Sequence, residues 1–97
     1  MPSKNPAKDA VLELRLYVAG QAPNSLHAIQ NAKAICDAHF QNAYKIEIVD
    51  MLQDPLRALA DGVIVTPTLL KLAPPPVRRL IGNLSDISQV LFILANT

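Results

Sequence analysis

Cysteine is nearly missing from this chain of 97 residues: Cys36 stands alone. One thiol can form neither an intramolecular disulfide nor a thiolate zinc cluster. It fits a reducing compartment, and a cytoplasmic protein is expected. Tryptophan is absent, and two tyrosines and two phenylalanines are the only aromatics. Charge of either sign is not in excess: nine Lys and Arg against eight Asp and Glu leave +1. That balance gives no electrostatic case for nucleic acid or an anionic membrane. No apolar run approaches the ~20 residues of a membrane span. Met1 to Asp9 is polar, carries two prolines and lacks the apolar core of a signal peptide. His27 and His39 have no acidic neighbour at ligand spacing, so no metal site is expected. A glycine-rich phosphate loop and a serine nucleophile elbow are also missing, which leaves no cofactor and no enzyme chemistry to expect.

What is present is a folding pattern. Hydrophobic residues make up 51% of the chain, enough for one globular domain. Residues 1–10 read as a flexible lead-in and 11–97 as that domain. Val11 to Val18 alternates, with Leu12, Leu14, Leu16 and Val18 on one face and Glu13, Arg15 and Tyr17 on the other, which predicts a strand. Gly20 to Asn24 is turn chemistry. Asn24 or Ser25 is placed to cap a helix over about Ser25 to Phe40. Its apolar stripe would be Leu26, Ile29, Cys36 and Phe40, flanked by Ala32 and Ile35. Tyr44 to Val49 alternates again. Asp54-Pro55 predicts the start of a short helix to Ala60, stopped by Gly62. Asp50, Asp54 and Asp61 read as strand-end, cap and turn residues. Thr68 to Leu72 and Val77 to Ile81 predict an antiparallel pair around the stiff turn Pro74-Pro75-Pro76. Leu84, Ile87, Val90, Leu91 and Leu94 recur at helical spacing and predict a last helix over Ser85 to Ala95, although Val90 to Leu94 also suits a buried strand.

The order β-α-β-α-β-β-α implies an α/β domain with a parallel pair and a closing hairpin. Four strands with three helices is the thioredoxin-like arrangement. Val63-Ile64-Val65-Thr66-Pro67-Thr68-Leu69 fits it. A proline removes a ladder donor, so it belongs at the first residue of a strand, and Pro67 resembles the cis-proline corner of that fold. In thioredoxins the loop after the first strand carries two cysteines around two residues. The equivalent loop here is Gln21-Ala22-Pro23-Asn24, a degenerate version in which Gln21 and Asn24 stand where the thiols belong. Neither forms a thiolate, so dithiol exchange is excluded there. Cys36, on the apolar stripe of a helix, reads as a small core residue.

Lys71, Arg78 and Arg79 group on the hairpin, across from one another on paired strands. They suit either a solvated edge or a docking patch for an acidic surface.

From Leu14 to Val90 the sequence resembles the KaiB family. The motifs are Leu16-Tyr17-Val18-Ala19-Gly20, Pro23-Asn24-Ser25, Thr66-Pro67-Thr68-Leu69, Pro74-Pro75-Pro76-Val77-Arg78-Arg79, Ile81-Gly82 and Leu84-Ser85. The resemblance implies a non-enzymatic regulator that binds KaiC, a hexameric ATPase and autokinase of the cyanobacterial clock. It implies partner-binding roles for Lys71, Arg78, Arg79, Tyr17 and Asp50, and a homo-oligomer, dimer or tetramer. It also implies two folds: the thioredoxin-like form, and a tetrameric ground state of order β-α-β-β-α-α-β whose energy lies within a few kcal/mol of it.

Three departures bear on that reading. The family's basic residue near the start of the first helix falls on His27, its second-strand lysine falls on Glu47, and the acidic tail of cyanobacterial members lies past Thr97. In the last helix Ile93 and Ala95 stand where typical members carry glycine and aspartate, poorer helix formers by up to ~1 kcal/mol each. The thioredoxin-like form is therefore expected. Two further readings compete: a thioredoxin-like redox or stress-response protein using Cys36, and a thioredoxin-like sensing module like that of a clock-linked histidine kinase.

Overall fold

Seven elements follow one another in the expected β-α-β-α-β-β-α order. They are β1 (Leu12–Val18), α1 (Pro23–His39), β2 (Tyr44–Asp50), α2 (Pro55–Ala60), β3 (Thr68–Ala73), β4 (Arg78–Ile81) and α3 (Ile87–Ala95). This computed structural model describes residues 11–41 and 43–95, so the lead-in expected to be flexible lies outside the described residues. The four strands form one sheet of order β2-β1-β3-β4. β1 runs parallel to β2, with Leu12 opposite Tyr44 and Val18 opposite Asp50. β3 is antiparallel to both β1 and β4. The ground-state order named above is not the one adopted.

Period-two alternation sends the leucines of β1 to one face. There Leu12, Leu14, Leu16 and Val18 pack with Ala28, Ala32, Ile35 and Cys36 of α1, with Leu69 and Leu80, and with Leu84, Val90 and Leu94 at the C-terminal end. Leu16 is fully enclosed. Truncating such a leucine to alanine costs ~2–5 kcal/mol through lost transfer energy and an unfilled cavity. The other face carries a smaller cluster of Tyr17, Val49, Ala58, Val63 and Leu70 beneath α2.

Several local expectations are corrected. Ala22, not Asn24 or Ser25, is the N-cap of α1; it makes no side-chain cap bond, and Pro23 opens the helix. The buried stripe also differs from the one expected: Ala28 is in the core and Leu26 is left 38% exposed. Ser25 is buried instead, its hydroxyl accepting from the Ala19 amide at 3.0 Å. α3 begins at Ile87 rather than Ser85, because the Asp86 carboxylate accepts from the Gln89 amide at 3.2 Å and caps the helix there. Val90 and Leu94 nonetheless face inward, as their spacing requires. Gly62 does stop α2, at φ 69°, and the Thr66-Pro67 bond is cis as expected; Ala73-Pro74 and Pro75-Pro76 are cis as well.

Candidate partner-docking face

Strand directions bring three connections to one end of the sheet. β1 and β2 are parallel, so both exit there, and Tyr17 pairs with Thr68 at the entry to β3. The loop after β1, the turn after β2 and the segment ending at cis-Pro67 therefore share this end. Asp50 joins two of them: its Oδ1 accepts from the Gly20 amide at 3.1 Å and the Leu52 amide at 2.9 Å. Gly20 sits at φ 53°, a left-handed conformation that glycine adopts without the Cβ penalty. Pro67 is tied back through its carbonyl, which accepts from the Gly82 amide at 3.0 Å.

The connections hold out apolar side chains. Leu52, Leu56, Leu59 and Ile64 are 71%, 76%, 74% and 88% exposed, and Val65 is 48% exposed. Only Val63 and Ala58 of this stretch turn fully inward. A six-residue helix has one narrow face to bury, so Leu56 and Leu59, three apart, share a face turned to solvent. Scattered exposed leucines are ordinary; five large aliphatics within one stretch make this end the candidate docking face.

Beneath them α2 is fastened to the sheet by charge. Arg57 grips Glu47 with two bonds, Nη1 to Oε2 at 2.6 Å and Nη2 to Oε1 at 2.8 Å. Arg15 bridges Glu47 (3.0 Å) and Asp61 (2.9 Å). The Tyr17 hydroxyl donates to Asp61 Oδ2 at 2.6 Å. Hydrogen bonds from Arg57 and then Arg15 hold the Glu47 carboxyl down at about 2. The Tyr17 hydroxyl bond, then Arg15, lowers Asp61 as well. Glu47 is thus absorbed into a structural network. Arg15 and Glu47 are register partners on adjacent strands, and that pairing of opposite charges was the available signal for a network the sequence reading missed.

The expected site residues separate. Arg78 and Arg79 are both exposed but point to opposite faces of β4. Arg79 reaches over the α2 face and donates to the carbonyls of Gly62 and Asp61, each at 2.8 Å. Arg78 lies opposite Lys71. Lys71, read from the sequence as part of either a solvated edge or a docking patch, is 1% exposed and donates to the Pro76 carbonyl at 3.3 Å. Burial, then the Arg78 charge, lowers its pKa. Tyr17 is wholly buried. Gln21 and Asn24 are exposed on the β1 exit. Cys36 is wholly buried, and desolvation pushes its thiol up to about 11, which leaves it inert at neutral pH. His27 and His39 are both exposed on α1. Among the described residues no helix is long and apolar enough to cross a membrane.

Comparison with known proteins fits this geometry. The profile of the KaiB domain matches residues 15–95. The chain belongs to the KaiB family. It is 47% identical over 78 residues to the circadian clock oscillator protein KaiB of Gloeothece citriformis, covering 80% of this chain and 74% of that protein. Identity and coverage are the same against the circadian clock oscillator protein KaiB1 of Synechocystis. Among solved structures it is similar to the N-terminal domain of Synechococcus elongatus SasA, with a TM-score of 0.74 and 26% identity over 90% of this chain and 86% of that one. The Drosophila melanogaster thioredoxin Deadhead, 14% identical, superposes with a TM-score of 0.72 over 92% of this chain and 83% of that one, and shows the shared fold alone. This KaiB-family chain therefore has a thioredoxin-like architecture from which the dithiol is gone.

Proposed function

We propose that this KaiB-family protein is a non-enzymatic regulator in the cytoplasm that works by binding a KaiC-like ATPase. The observation that carries this reading is the sheet end itself. Gln21 and Asn24, which we read as standing in the thiol positions of a thioredoxin, are exposed at this end, and it also displays Leu52, Leu56, Leu59, Ile64 and Val65 to solvent. A surface stripped of its nucleophiles but rich in exposed aliphatics is built to bind, not to react. Arg78 supplies a solvated cation for an acidic partner surface. Tyr17, Asp50 and Lys71 act from behind, by holding the loops and the hairpin in place. Direct binding to a recombinant cyanobacterial KaiC hexamer tests the reading. Wild type is expected to bind, and Ile64→Asp to lose at least tenfold in affinity with its melting temperature unchanged. Equal binding by the two proteins would remove Ile64 from the interface.

A further inference from the structure

We infer that Arg79 is a positioning residue that straps the segment 61–66 onto the sheet and so fixes the direction in which Ile64 is presented. The inference rests on the docking reading above for its purpose, but its geometry stands independently. The Arg79 guanidinium makes a two-pronged bond to consecutive carbonyls, Nη1 to Gly62 and Nη2 to Asp61, both at 2.8 Å. These are carbonyls just past the last turn of α2, where no further helical amide follows to bond them. Other bonds fasten the rest of the segment. The Gly62 amide donates to Leu59 (3.0 Å) and the Val63 amide to Ala58 (2.8 Å). The Asp61 side chain is held by Arg15 and Tyr17. At the far end the Thr68 hydroxyl donates to the Val65 carbonyl at 2.6 Å. Ile64, the most exposed large aliphatic of the chain at 88%, stands between these two anchorages.

The fork is specific to arginine. Its planar guanidinium offers two parallel donors, whereas a lysine ammonium is a compact point charge on a flexible stem that would satisfy one carbonyl at a time. A positive charge at the C-terminal end of α2 is also favoured by the helix dipole. Neighbouring arginines thus divide the work. Arg78, on the opposite face, is free to meet a partner's charge, and Arg79 is committed to the loop.

Amide hydrogen exchange on the free protein tests this without any partner. Arg79→Ala is expected to speed exchange at Gly62 and Val63 at least tenfold, Arg79→Lys by less, and Arg78→Ala not at all. A urea melt of each variant shows that the change is local, and Arg79→Gln replaces the alanine variant if that one unfolds. Unchanged exchange at Gly62 and Val63 in Arg79→Ala would overturn the inference. Binding to the KaiC hexamer as a function of salt gives the second readout. A contact cation carries part of the salt dependence, so Arg78→Ala should flatten it. Arg79→Ala should weaken binding at every salt concentration and leave the slope as it was; a flattened slope would make Arg79 a contact residue instead. If the wild type fails to bind KaiC, the functional reading falls, and the exchange measurements alone decide the role of Arg79.

Discussion

Replacing Lys71 with methionine should stabilise this protein. Lys71 is 1% exposed, and among the described residues its ammonium has one acceptor, the Pro76 carbonyl. At 3.3 Å that bond is long for a charge-assisted one, which is ordinarily ~2.7–2.9 Å. Opposite it on β1 is Leu14, which offers no charge, and opposite it on β4 is Arg78, which has the same sign. Withdrawing an ammonium from water costs several kcal/mol, while a good hydrogen bond from a charged donor returns ~1.5–3 kcal/mol. Methionine keeps most of the aliphatic stem in place, so little packing is lost. The net gain is about 1 kcal/mol or more, and each kcal/mol raises the melting temperature of a domain of this size by roughly 4–8 °C.

The sign of the pH dependence makes the test sharp. The Lys71 pKa is lowered in the fold, so between the folded value and the unfolded ~10.4 the unfolded state binds more protons. The lysine's penalty is complete below the folded pKa and is relieved as pH rises toward ~10.4. Cys36, at about 11, and Tyr44, raised to about 12 by its hydrogen bond to Asp37, work in the opposite direction at alkaline pH. Those groups are common to both proteins and cancel in the difference. Urea denaturation of wild type and Lys71→Met from pH 7 to 10.5 should therefore show an advantage for methionine that shrinks as pH rises. A variant less stable than wild type at pH 7, or an advantage flat across that range, would refute the claim that the buried charge is a cost.

Glu47, held at about 2 by Arg57 and Arg15, should contribute stability above its unfolded pKa near 4.5 and lose it as pH falls toward 2. Acid melts of Glu47→Gln should therefore be flatter than wild type over that window. Insulin reduction assays should show no dithiol activity, since Cys36 is the single cysteine of the chain; turnover that survives Cys36→Ser would sink the reading of Gln21 and Asn24 as the thiol positions. A maleimide should leave Cys36 unmodified at neutral pH on the timescale that labels an exposed thiol, given its burial and raised pKa.

Element type was legible where one face of an element is dry. The leucines of β1 alternate because α1 and α3 cover them, and Val90 and Leu94 keep helical spacing because they close the same core. Legibility failed where a residue's environment is made by distant chain. Lys71 reads as a surface cation because lysine usually is one, and only the strand pairing shows it enclosed between Leu14 and Arg78. Arg78 and Arg79 read as one patch because they are adjacent, yet adjacency within a strand is the arrangement that sends two side chains to opposite faces. The helix cap was misplaced because Asn24 and Ser25 are good caps in isolation, whereas Pro23 could begin the helix one residue after Ala22 with no side-chain cap at all.

These failures share a physical cause that bears on function. The site lies at one sheet end, and its parts come from the exits of β1 and β2 and the entry to β3, so no single motif contains it. The thioredoxin-like architecture supplies that convergence whether or not thiols occupy it. The loops at this end must still be held in place. Asp50, the Asp61 cluster and the Arg79 fork meet that need with hydrogen bonds to backbone and side chains, while Leu52, Leu56, Leu59 and Ile64 remain in water. Four large aliphatics left wet on this fixed connection, two of them on α2, forgo a hydrophobic gain of order 1.5–3 kcal/mol each, a gain that a partner can collect on docking without first ordering the segment that carries them.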